Sequence, residues 1–116
     1  MQRLVPISIL ACLLLITKAQ AFDCKDLYDA NVRHEEARNI LAKESRALPD
    51  TNKASCKFGR KQDMPSIKRY LGDVSKFVDC PGFWGKAARE KVDELQQLLA
   101  LSAYLYDESC KKAGMK

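Results

Sequence analysis

The chain has 116 residues, 20 basic against 15 acidic, with five cysteines and one histidine. That is enough for one small domain, and a net charge of +5 is too mild to demand a nucleic-acid partner. The sequence also lacks a Gly-x-Ser-x-Gly elbow, a His-Glu-x-x-His pair, a P-loop and a dinucleotide fingerprint, so no familiar catalytic or cofactor-binding machinery is legible in it.

The first element is a leader. Arg3 gives a short positive start, and Leu4 to Ile16 is an almost unbroken apolar run of secretory length, too short to span a bilayer. Ala19-Gln20-Ala21 fits a small-x-small cleavage pattern. Residues 1–21 are therefore predicted to be a secretory signal peptide and 22–116 a single helical domain. A lipidated Cys12 is the rival reading, but Leu13, Leu14 and Leu15 continue the apolar run where a polar tether belongs. Cleavage removes Arg3, Lys18 and Cys12, which lowers the net charge to +3 and leaves Cys24, Cys56, Cys80 and Cys110. An even cysteine number in a short exported chain implies two disulfides and an oxidising compartment, periplasmic or extracellular. Asn31, Asn39 and Asn52 all fail the glycosylation sequon.

From Cys24 to Leu48 the period is helical: Leu27, His34, Leu41 and Leu48 recur every seven residues, with Ala30 and Ala37 between them. Pro49 ends that helix. Pro49 to Gln62 carries turn formers and reads as a loop with at most one helical turn near Cys56. A second helix starts near Asp63, with Pro65 in its first turn. Ile67, Tyr70, Leu71, Val74, Phe77 and Val78 then give the cleanest amphipathic pattern in the chain, in which Gly72 is expected to allow close helix contact. Pro81-Gly82 reverses the chain, and a third helix runs from about Phe83 to Cys110. Its second half, Leu98 to Tyr106, is apolar nearly all round and reads as core, with a homodimer interface or an apolar-ligand groove as the alternative.

The fold class is therefore all-α: a small three-helix up-down-up bundle. A first helix of about 34 Å keeps its two ends apart. Cys24 and Cys80 then share one end and Cys56 and Cys110 the other, which predicts the disulfides Cys24–Cys80 and Cys56–Cys110.

Two groups of residues are candidate binding sites. Lys53, Lys57, Arg60 and Lys61, with Phe58 among them, suggest a basic loop for an anionic ligand or an acidic protein. Phe83 and Trp84, beside Lys86 and Arg89, are either a packed corner over the Cys24–Cys80 bridge or an exposed pair suited to a membrane interface or a partner groove. Cys80 lacks the Cys-x-x-Cys partner of a redox site. His34 faces the core and reads as a hydrogen-bonded boundary histidine able to act as a pH switch, without companions for metal binding or a nucleophile to activate. The expectation is an exported, non-enzymatic binding protein without cofactor, metal or nucleic acid. Its rivals are a carrier or chaperone-like protein using the third helix, and a membrane-active, toxin-like protein.

Overall fold

A computed structural model describes residues 23–116, and the predicted leader and its cleavage site lie outside them. Helix α1 (Asp26–Arg46) places Asp26 and Asp29 in its first turn and Lys43 and Arg46 in its last, matching acid to the positive end of the helix dipole and base to the negative end. Leu27 and Ala30 are fully buried, and His34 and Leu41 are half-buried further along the same face.

The chain turns at Pro49 and re-enters helix earlier than the turn formers suggest. The Thr51 hydroxyl accepts from the Ala54 N–H at 3.1 Å and caps α2 (Asn52–Phe58). α2 runs through one π-helical turn (Gly59–Asp63) into α3 (Met64–Ser75), forming a single second rod. The predicted loop up to Gln62 is thus corrected. Burial of Cys56 and Phe58 against the neighbouring rods outweighs the weak helix propensity of Asn52, Ser55 and Gly59. The wide turn also sits directly before Pro65, where a proline inside a rod crowds the carbonyl one turn back.

Pro81, in extended conformation, and Gly82, at φ +63°, reverse the chain into α4 (Gly82–Lys112). α4 ends in a paired motif: the Met115 N–H reaches the Cys110 carbonyl at 2.8 Å and the Gly114 N–H reaches Lys111 at 3.0 Å, with Gly114 at φ +70°.

The three rods run up, down and up. Cys24 and Cys80 are bonded at one end with Cα atoms 6.0 Å apart, and Cys56 and Cys110 at the other, 4.8 Å apart. Both predicted pairings hold, because rigid rods of this length bring no other ends together. Two intramolecular disulfides suit an oxidising, extracellular-type environment. No described helix is long and apolar enough to cross a membrane.

The core is concentrated at the Cys24–Cys80 end, where Leu27, Ala30, Tyr70, Val74, Phe77, Cys80, Ala88 and Leu95 form one buried cluster. Toward the other end the burial thins. Leu101, Tyr104 and Leu105 are 57%, 64% and 53% exposed, which corrects the expectation that Leu98 to Tyr106 is core. Two neighbouring rods cover only part of a helix's circumference, and that part holds Ser102 and the half-buried Leu98, Leu99 and Tyr106. Gly72 is likewise exposed with nothing near it, so it mediates no helix contact. Gly59 does: a Cβ there would lie 2.2 Å from the Tyr106 ring.

Candidate anion-binding face

The positive charge of the described chain belongs almost entirely to one rod. The second rod, Asn52 to Ser75, carries Lys53, Lys57, Arg60, Lys61, Lys68 and Arg69 against Asp63 and Asp73, a net of +4. α1 carries five acids and four bases, and α4 five of each.

Both acids of the second rod are already engaged, Asp63 in the interior and Asp73 at the partly exposed boundary with α1. Asp63, at the end of the π-helical turn, is buried; its carboxylate pairs with the Arg38 guanidinium of α1 and accepts from the Tyr106 hydroxyl of α4 at 2.6 Å. All three rods therefore meet on one carboxylate. Burial, with Asp63 alongside, pushes the Tyr106 hydroxyl well above its ordinary pKa. Asp73 lies 2.6 Å from His34 Nε2 and 3.4 Å from the Lys76 ammonium. The His34 contact holds the Asp73 carboxyl below the usual carboxylate range, against an opposing effect of burial.

His34 stacks on Tyr70, ring centroids 4.6 Å apart, so the expectation of a hydrogen-bonded boundary histidine is met. The Tyr70 hydroxyl sits 2.8 Å from Asn31 Oδ1 and 3.0 Å from Glu35 Oε1, and the Lys91 ammonium approaches Glu35 from α4 at 3.8 Å. Burial, and then Glu35, raise the Tyr70 hydroxyl above its normal range.

With Asp63 and Asp73 used internally, Lys53, Lys57, Arg60, Lys61, Lys68 and Arg69 have no ion-pair partner among the described residues. All six are exposed. Lys53 and Lys57 are one α-helical turn apart. The wider turn from Gly59 keeps Lys61 above Lys57, and Lys68 follows two turns later, opposite the buried Ile67, Tyr70 and Val74. Like charges at this spacing cost an isolated helix about 0.2–0.5 kcal/mol per pair. Beside the row, Leu48, Ala54 and Phe58 floor a shallow cleft of about 280 Å³ with Lys57, Lys61 and Gln62 around it.

The basic segment read from the sequence is thus helical, and it is split. Lys57, Phe58 and Lys61 share the cleft, and Lys53 continues their row. Arg60 turns toward α4, beside Tyr106, Asp107 and Cys110. Lys68 went unnoticed in sequence because only the continuous folded rod aligns it with Lys53 to Lys61, and Arg69 lies beside that line. Arg38, Asp63 and Tyr106 went unnoticed as a group. The one sequence signal for them was Arg38 standing one helical turn after His34 on the core-facing side.

The aromatic corner divides as well. Trp84 is half-buried against the core cluster, while Phe83 is 73% exposed and meets its ring edge-on at 5.3 Å. Lys86 is exposed. Arg89 braces the corner by donating to the Val78 carbonyl at 2.9 Å. Among the described residues no group of three or more His, Cys, Asp or Glu is placed to hold a metal ion.

No protein-family model matches the chain, and no match emerges among curated proteins or solved structures.

Proposed function

We propose that the chain is an exported, non-enzymatic interaction protein that engages an anionic partner through the exposed cations of its second rod. The observation that carries this reading is the set of six exposed cations without an acid partner, Lys53, Lys57, Arg60, Lys61, Lys68 and Arg69, on the one rod that holds the excess charge. Bringing like charges together without neutralising them costs stability, and it creates a positive potential that attracts anions. The disulfides support the same reading: rods stapled at both ends present the row already ordered, which lowers the entropic cost of binding.

Amide shift mapping with a short polyaspartate probe tests it. The expected perturbations fall on Lys53 to Arg69. Perturbations centred instead on Lys86, Arg89 and Lys91 of α4 overturn it.

A second reading, a carrier or chaperone-like protein, draws on the exposed Leu101, Tyr104 and Leu105 at helical spacing along α4. It calls for saturable binding of a hydrophobic dye that Leu101→Lys with Leu105→Lys abolishes. The membrane-active reading draws on Phe83 and calls for vesicle leakage that Phe83→Ser abolishes.

A further inference from the structure

We infer that the anionic partner is an extended acidic polysaccharide, lying along the row Lys53, Lys57, Lys61 and Lys68. This rests on the anionic-partner reading above and adds the class of molecule. The row is linear. From Lys53 to Lys68 the rod rises roughly 22 Å at 1.5 Å per residue, with an ammonium offered at about each helical turn over the first half. A single phosphate or sulfate meets two of these ammoniums at most, whereas a chain bearing a carboxylate or sulfate on successive sugars meets all of them.

The same face carries no exposed large hydrophobic residue: beside the row, Leu48, Ala54 and the buried Phe58 form only the floor of the shallow cleft. The exposed large hydrophobic residues are Tyr28, Val32 and Ile40 on α1 and Phe83, Leu101, Tyr104 and Leu105 on α4, with none on the second rod. A helix that settles on a membrane buries an apolar face below its basic one. A tight protein interface is built around buried aromatic or aliphatic anchors. Single-stranded nucleic acid is held by exposed aromatics on which bases stack. A row of lysines beside Gln62 and a cleft whose Phe58 is buried presents no exposed anchor of these kinds, and a hydrated polyanion needs none. Lysine also suits such a ligand: its ammonium is a compact point charge on a flexible stem, tolerant of irregular anion spacing.

The test uses the oxidised mature chain and four fluorescent probes at equal concentration: a heparin oligosaccharide, an oligogalacturonate, a polyglutamate peptide, and vesicles containing phosphatidylglycerol. It is run on the wild type, on Lys57→Gln/Lys61→Gln/Lys68→Gln, and on Lys112→Gln as control, each verified as folded by circular dichroism. The oligosaccharides are expected to bind and to weaken at least about ten-fold between about 50 and about 150 mM salt. The triple substitution should cost at least a further ten-fold and Lys112→Gln less than about two-fold, each lysine acting through its released counterions. Tighter binding of polyglutamate or vesicles than of either oligosaccharide, lost in the triple variant, overturns the polysaccharide assignment and leaves the anionic-partner reading standing. Absence of salt-sensitive binding to every probe, or binding that the triple variant retains in full, overturns both.

Discussion

The two ends of the bundle are built from different chemistry. Around Cys24–Cys80, apolar side chains from all three rods close on one another, and Trp84, Val92 and Leu71 extend that cluster outward. Around Cys56–Cys110 the rods are joined by directional contacts: Arg38 and Tyr106 on Asp63, and the Ser55 and Ser109 hydroxyls 3.4 Å apart, with only Phe58, Ile67 and the bridge itself as buried apolar bulk. Apolar contact is non-directional and tolerates small shifts, whereas a buried ion pair holds only at the right geometry. The first end is therefore held by its core with the disulfide in addition, and the second by its disulfide with the polar contacts fixing the register.

The largest effect that sharpens this contrast is loss of a bridge. Each disulfide closes a loop of more than fifty residues, worth about 4 kcal/mol in the chain-entropy account. Cys56→Ser/Cys110→Ser is expected to release α2 and the last turns of α4 to fast hydrogen exchange while Leu27, Val74 and Ala88 stay protected. Cys24→Ser/Cys80→Ser should lower the melting temperature without such selective opening. Equal, uniform loss of protection in both variants would break the contrast.

Next comes the carboxylate shared by three rods. Asp63→Ala strands the Arg38 charge and is expected to cost about 3–5 kcal/mol in chemical unfolding. Arg38→Met/Asp63→Leu removes both charges and should recover much of that loss. At the apolar end, Leu27→Ala should cost about 2–5 kcal/mol with no comparable rescue by a second substitution.

The two glycines of the second rod, Gly59 buried against Tyr106 and Gly72 exposed, should respond in opposite directions. Gly59→Ala drives a methyl into the Tyr106 ring and is expected to lose about 1–3 kcal/mol. Gly72→Ala meets nothing and should gain about 1 kcal/mol through helix propensity. Thermal unfolding of the two variants reads both signs.

The smallest effects are those of pH. Asp73 titrates lower in the fold than in the open chain, so its contribution is present above the ordinary carboxylate value near 3.9 and is lost as pH falls through the lower folded value. Tyr70 and Tyr106 titrate higher in the fold, so theirs is present below about 10 and is lost as pH rises through the folded values. Stability measured against pH should therefore lose part of its acid slope in Asp73→Asn and part of its alkaline slope in Tyr106→Phe.

Much of this fold was legible before any coordinates. The heptad of Leu27, His34 and Leu41, the amphipathic run from Ile67 to Val78 and the breaks at Pro49 and Pro81 define three rods. The candidate face was legible only in part. Lys53 to Lys61 stands out as a charge run, yet Asn52, Ser55 and Gly59 are poor helix formers and predict a loop; burial of Cys56 and Phe58, which supplies the helix there, is a tertiary effect. The apolar run from Leu98 to Tyr106 misled in the opposite way, since hydrophobicity records what a residue prefers and two neighbouring rods limit what can be covered.

The number and order of the rods and the disulfide partners follow from the amino-acid order, because helical period and rise are local properties and stiff rods leave their tips few choices of neighbour. Which cations stay unneutralised was decided by the tertiary structure alone. Asp63 and Asp73 lie in the same stretch of chain as the lysines, and only packing against the other rods engages their carboxylates, Asp63 with Arg38 and Tyr106 in the interior and Asp73 with His34 at the boundary with α1, leaving the outer row of lysines facing solvent.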